Sequence, residues 1–252
     1  MQRRDNRPGG YAYLPAIPPY SGGVLALEGF EIVHVSVRGA VPWRAGFELV
    51  DRTIAAAGRP PVALCSVALR CPAPHSFDGF AAFNAEYRAQ LDERGILIDG
   101  ENPVARTNVA PVVRPPADTT LAAFGFTVPR PASAAARPSF VVAGAGDLRN
   151  QELRAEAIVA AGDSSSAGLR SKVDQVLTTM GARLAGLGAS WADVDVVDVY
   201  TAVGLDVDTA THLNEAVGVA SACGLRWYLA HPPIEGLTFE MDLRGGTAER
   251  SV

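Results

Sequence analysis

Side chains able to do covalent or metal chemistry are few and scattered in this 252-residue chain. Only one of its 22 basic residues is a lysine, Lys172, in a strongly helical stretch that reads as exposed, so Schiff-base catalysis has one poorly placed candidate. Cys65, Cys71 and Cys223 make no C-x-x-C pair, and His34, His75, His212 and His231 are isolated from one another. That spacing supports neither a metal site nor a disulfide framework, and no cofactor is expected. Cys65 reads as a buried small hydrophobe in an apolar strand, and His231, ahead of two prolines, as a turn residue. What remains is arginine and carboxylate chemistry. Near the C-terminus Leu237, Phe239, Met241 and Leu243 alternate with Thr238, Glu240 and Asp242, which directs Glu240 either into a cleft or onto a solvated face.

Composition narrows the partners. With 48% hydrophobic and 19% charged residues and a formal charge of -5, the chain reads as a soluble globular protein of about two domains. An acidic chain whose only basic cluster is Arg3, Arg4 and Arg7 has little with which to neutralise phosphates, so no nucleic-acid partner is expected. No run approaches the roughly 18 to 20 apolar residues needed to span a bilayer, and residues 1–10 are too polar for a signal peptide. No membrane partner and a cytoplasmic location are expected.

The elements needed to position any site come in a repeated order. Residues 1–19 read as an irregular Pro/Gly/Tyr arm. Strands are expected at Phe30–Val37 and Val62–Leu69, and helices at Arg44–Ala57, where Phe47, Val50 and Ile54 recur at helical spacing, and at Phe77–Arg94. Strands at Arg106–Val113 and Thr120–Val128 follow, and residues 129–138 have linker composition. Beyond it come strand candidates at Phe140–Ala143 and Glu152–Ala161, a long helix capped within Ser164–Ser166, a strand at Val194–Val203, a shorter helix around Val207–Leu213, and strands at Leu225–Ala230 and Leu237–Leu243. Gly58 precedes Asn84 by 26 residues, and Gly188 precedes Asn214 by 26 residues. Equal spacings in divergent sequence argue for an internal duplication.

FAAFNAEY with NPVARTNV (residues 80–87 and 102–109) and GLGASWADVDVVDVYTAV (186–203) resemble the YjgF/RidA family of reactive-intermediate deaminases, in two tandem copies over about Tyr20 to Arg244. The resemblance implies an α+β fold: two tandem chorismate-mutase-like (YjgF/RidA) domains, each a mixed sheet with two helices packed on one face. The expected division is an arm (1–19), a first domain (20–129), a linker (130–138), a second domain (139–247) and a tail (248–252). It also implies a homo-oligomer with trimer-like packing and hydrolysis of enamines and imines to ammonia and a 2-oxo acid. Arg106 falls at the family's carboxylate-binding arginine, Tyr20 at its aromatic site residue, Ser36 at the serine ending the first long strand, with the backbone at Ser36 and Val37 polarising the nitrogen, and Asn84 at the helix asparagine. Asn108 replaces a frequent cysteine, and Leu121 stands where the family often has its glutamate. In the second copy Arg226, Tyr228 and Asn214 match the arginine, cysteine and asparagine positions, Ala143 replaces the serine, and Glu240 lies at the acid, one residue closer than expected.

Neither copy holds a complete set, so a cleft lined by both halves would combine Arg106 with Glu240 as catalytic residues and Tyr20, Ser36, Val37, Asn84, Asn108, Arg226 and Tyr228 as substrate-binding residues, with no metal. Each has a plainer reading. Ser36 and Asn84 are ordinary strand and helix residues, Tyr20 can simply anchor the arm, Arg106 can make a surface ion pair, and Arg226 can stack on Trp227 or lie exposed. The expected function is a cofactor-independent deaminase of a small imine or enamine carboxylate, a 2-iminoacid or 2-aminomuconate-like compound. Its rivals are a chorismatase-like enzyme acting on a dicarboxylate, and a ligand-binding or scaffold protein that has lost the chemistry.

Overall fold

The computed structural model describes residues 2–132 and 137–252. Strands β1 (Arg4–Asn6), β2 (Tyr11–Leu14) and β3 (Gly23–Ala26) lead into β4 (Phe30–Pro42), helix α1 (Trp43–Ala56), β5 (Leu64–Arg70), α2 (Phe77–Asp92), β6 (Ala105–Pro111) and β7 (Thr120–Pro129). The second half runs β8 (Phe140–Gly146), α3 (Ser166–Leu187), β9 (Val196–Thr201), α4 (Val207–Val217), β10 (Arg226–His231), β11 (Phe239–Gly245) and β12 (Ala248–Ser251). Local chemistry sets the helix ends. Ser76, Ser165 and Asp206 accept from the backbone N–H three residues on, and Gly188 closes α3 in the left-handed conformation at φ 75°.

The strand order is β1-β2-β3-β8-β11-β9-β10-β6-β5-β7-β4-β12, one twelve-stranded sheet. Within it β6-β5-β7-β4 and β10-β9-β11-β8 share the same pattern, parallel in the first pair and antiparallel in the next two. The two sets join where β10 pairs antiparallel with β6, Ala230 opposite Pro111. Helices α1 and α2 bury Trp43, Phe47, Val50, Tyr87 and Leu91 in one apolar cluster, and α3 and α4 bury Val173, Val176, Met180, Leu213 and Val217 in another. No helix among the described residues is long and apolar enough to cross a membrane.

Several expectations change. The arm is not irregular: β2 pairs with β3, which pairs with β8 of the second half, and Tyr11 buries its ring while its hydroxyl donates to Leu64 O at 2.9 Å. The tail 248–252 contains β12, paired in parallel with β4 of the first half. Each half is therefore completed by a segment from the opposite end of the chain, and the sheet is continuous rather than two separate sheets. Within the expected linker, residues 133–136 lie outside the described residues.

Glu152–Ala161 is not a strand, because its polar groups are satisfied in another way. The segment folds through short turns, and Val159 O accepts from Lys172 Nζ at 2.8 Å. Lys172, expected to be exposed, is 1% exposed and also donates to Asp147 Oδ2 at 2.8 Å. The other Asp147 oxygen accepts from the backbone of Thr238 and Phe239, so one buried ion pair ties α3, this segment and the start of β11 together. Lys172→Met, which leaves the Asp147 carboxylate buried without its cation, is expected to destabilise the fold by about 3 to 5 kcal/mol, read as a lowered denaturant midpoint at unchanged slope.

Candidate active site

Strand β6 places Arg106 and Asn108 on one side by period-two alternation. Arg106 is only 3% exposed, and its guanidinium sits within 4.7 to 5.6 Å of the ring centroids of Tyr87, Tyr20, Phe80 and Phe83. Such an aromatic cage tolerates a buried cation through the negative ring faces. Its Nη2 donates to Asn84 Oδ1 at 2.6 Å, which fixes the plane of the fork, while Nη1 has no partner. Burial pulls the Arg106 pKa below its ordinary value. Both polar atoms of the buried Asn108 amide are also without partners. Tyr20 is held over Arg106 by the chain on either side, where Asn102 Nδ2 donates to Pro19 O at 2.7 Å and Ser21 N to Val104 O at 3.0 Å.

Glu240 arrives from the other half. Phe239, Met241 and Leu243 enter the α3/α4 core, and Glu240 and Asp242 occupy the opposite side as the alternation predicts. That side is not solvated: Glu240 is 3% exposed. The β11–β8 register slips between Met241 and Leu243, which bulges Ala143 and Gly144 toward the carboxyl and leaves no room at Gly144 for a Cβ beside Glu240 Oε1. Burial first, then the neighbouring Asp242 charge, hold the Glu240 carboxyl well above the usual range, against the opposing pull of Arg183 and Arg106. The carboxyl therefore keeps its proton to higher pH than an ordinary glutamate.

Sequence reasoning missed Arg183. It lies on α3, buried, and its Nη1 donates to the bulge carbonyls of Ala143 at 2.8 Å and Gly144 at 3.2 Å. The signal was present: Arg183 falls three residues after Met180 and four before Leu187, inside the apolar stripe of its helix.

Tyr20, Phe80, Arg106, Asn108, Gly144 and Glu240 line one cleft between the halves. It has about 20 Å³ of space, room for about one water molecule. The remaining expected residues divide differently. Ser36, Arg226 and Tyr228 border a larger cavity of about 210 Å³ enclosed by the sheet, which Arg106 also borders. Val37 lines neither space and packs against the α1/α2 core. Asn214, on the exposed side of α4, donates to Ala210 O within its own helix, and Leu121 is a core residue. The larger space is not the better active-site candidate, because the unpaired Arg106 and Asn108 atoms converge with a raised carboxyl only in the smaller one.

Residues 3–250 match the family described as 2-aminomuconate deaminase CnbZ. The chain is 42% identical over 246 residues to a 2-amino-5-chloromuconate deaminase of Comamonas testosteroni, covering 96% of each chain. Among solved structures, a chorismatase aligns with a TM-score of 0.51 at 16% identity over 93% of this chain and 81% of its own, a likeness of fold. The YjgF gene product of E. coli aligns over 42% of this chain and 79% of its own, with a TM-score of 0.31 and 12% identity. Matched over nearly its whole length, the chain belongs to the CnbZ 2-aminomuconate deaminase family.

Proposed function

We propose that this chain is a cofactor-independent hydrolytic deaminase of a small enamine or imine carboxylate of the 2-aminomuconate class, built as two tandem copies of a YjgF-like unit with one working cleft between them. The observation that carries the reading is the meeting of the unpartnered Arg106 Nη1 and Asn108 amide with the raised Glu240 carboxyl in one cleft. Arg106 grips the substrate carboxylate next to the reacting carbon through its planar fork. Asn108 Oδ1 accepts from the substrate amino group. Protonated Glu240 delivers its proton to the enamine carbon beta to nitrogen, leaving a C=N bond, and the resulting carboxylate takes a proton from the water that attacks the C=N carbon. The proton then passes to nitrogen, ammonia leaves and the carbonyl forms as the hydroxyl proton returns to Glu240; one water is consumed and one ammonia released. Seating a six-carbon acid requires Gln151 and Leu153, which border the cleft on the irregular segment after β8, to move outward.

Ammonia release from freshly generated 2-aminomuconate, with 2-iminobutanoate and chorismate as comparison substrates, tests this reading. Turnover of 2-aminomuconate is expected; conversion of chorismate alone, or binding without turnover of any imine, overturns it.

The reading includes self-association. Trp227 and Leu229 are 46% and 56% exposed on β10, and Val112 continues the patch, its N–H donating to Leu229 O at 3.0 Å. Contiguous exposed apolar surface of this kind fits an interface. Light scattering is expected to give a multiple of the 26.4 kDa chain mass, reduced toward one chain by Trp227→Glu with Leu229→Glu.

A further inference from the structure

The sheet-enclosed cavity carries polar groups that the deaminase chemistry does not use. Its wall alternates along the strands of both halves, with His34, Arg70, Asp198, Tyr200, Arg226 and Tyr228 among the contributors. Two features point to a ligand. Asp198, 4% exposed, uses Oδ2 to accept from Arg244 Nη1 at 2.8 Å, while its Oδ1 is buried with no partner. Arg70 and Arg226 border the cavity without an ion pair among the described residues.

Charge sets the kind of ligand. Asp198 balances Arg244; Asp242, raised by burial and by Asp198, accepts from Tyr200 Oη at 2.9 Å. His34, pulled down to about 4 by burial and Arg244, adds no charge. Arg70 and Arg226 thus leave a positive excess. The rings of Tyr200 and Tyr228 stack at 5.0 Å, with the Arg70 guanidinium 5.5 and 5.8 Å from their centroids, making a flat wall. A cavity of about 150 Å³ accepts benzene, so 210 Å³ admits a ring-sized acid. The exposed side chain of Arg226 marks the way in.

We propose that this cavity is a second ligand site, for a compact planar carboxylate that also carries a neighbouring amino or hydroxyl donor: Arg70 and Arg226 take the carboxylate and Asp198 Oδ1 accepts from the donor. It is independent of the deaminase reading. The probe is 2-aminobenzoate, titrated by its own fluorescence against the full chain, with benzoate as the analogue lacking the donor. Saturable binding is expected for the wild type and, within twofold, for the cleft double variant Asn108→Leu with Glu240→Gln, since neither residue borders this cavity. Arg226→Met, at an exposed position that does not threaten folding, and Arg70→Met are each expected to weaken binding at least tenfold, and benzoate to bind about tenfold more weakly than 2-aminobenzoate. Absence of wild-type binding, loss of binding in the cleft double variant, or wild-type affinity in both arginine variants overturns the proposal. Loss confined to the cleft variant would leave the deaminase reading standing, and failure of ammonia release with 2-aminobenzoate still bound here would leave this one.

Discussion

Arg106→Ala is expected to lower kcat/KM for ammonia release by about 10³-fold. A charge-assisted hydrogen bond contributes roughly 1.5 to 3 kcal/mol where water is excluded, and a carboxylate held by two of them loses both, which corresponds to about 10² to 10⁴ in rate constant. The Asn84 bond takes one Nη2 hydrogen and fixes the plane of the Arg106 fork, leaving Nη1 and the second Nη2 hydrogen to the two carboxylate oxygens, and the aromatic cage keeps the cation dry. Arg106→Lys is expected to recover only a small part of the loss, because an ammonium on a flexible stem presents a point charge and not a fork. Removing a side chain from between four rings also loosens the fold, so the readout is initial rate alongside thermal unfolding, taken at a temperature where both variants remain folded. Equal rates for wild type and Arg106→Ala would sink the deaminase assignment.

Glu240→Gln is expected to cost about 10² to 10⁴ in kcat, the usual range for removing a positioned proton donor and acceptor. Glutamine keeps the volume beside Gly144, where no extra atom fits, so the loss reads out chemistry and not packing. The pH profile separates this role from a structural one. Burial and Asp242 raise the Glu240 pKa, so the proton is held to higher pH than on an ordinary glutamate and is lost as the pH rises through that raised value. Wild-type kcat/KM should therefore fall as the pH rises through that raised value, above the range of an ordinary glutamate, and the Gln variant should lack that limb. An alkaline limb of the same position in Glu240→Gln would remove Glu240 from the proton transfer.

Much of the site's chemistry was legible in local pattern. Alternation over Leu237–Leu243 placed Glu240 away from the α3/α4 core and helical spacing over Phe47, Val50 and Ile54 located α1, while Arg106 was singled out from twenty other arginines by the resemblance of its A-R-T-N-V context to a known family. Arg183 was missed because a charged residue in an apolar stripe reads as an interruption until something polar is found beneath it; here that is the pair of bulge carbonyls on β8. Lys172 was misread for the same reason, since its partner Asp147 lies 25 residues away and both are buried only after α3 has docked.

By itself the sequence determined the order of the strands and helices from β4 to β11 apart from the segment 152–161, the repeat of that order, and the residue types able to grip a carboxylate and move a proton, because these follow from neighbours a few positions apart. Only the tertiary structure decided which of them meet. It paired β3 with β8 and β12 with β4, brought Glu240 of one half to Arg106 of the other, and sent Ser36, Arg226 and Tyr228 to a separate cavity. Those outcomes rest on strand pairings between segments more than a hundred residues apart, where hydrogen bonding along the backbone leaves no local mark in the side chains.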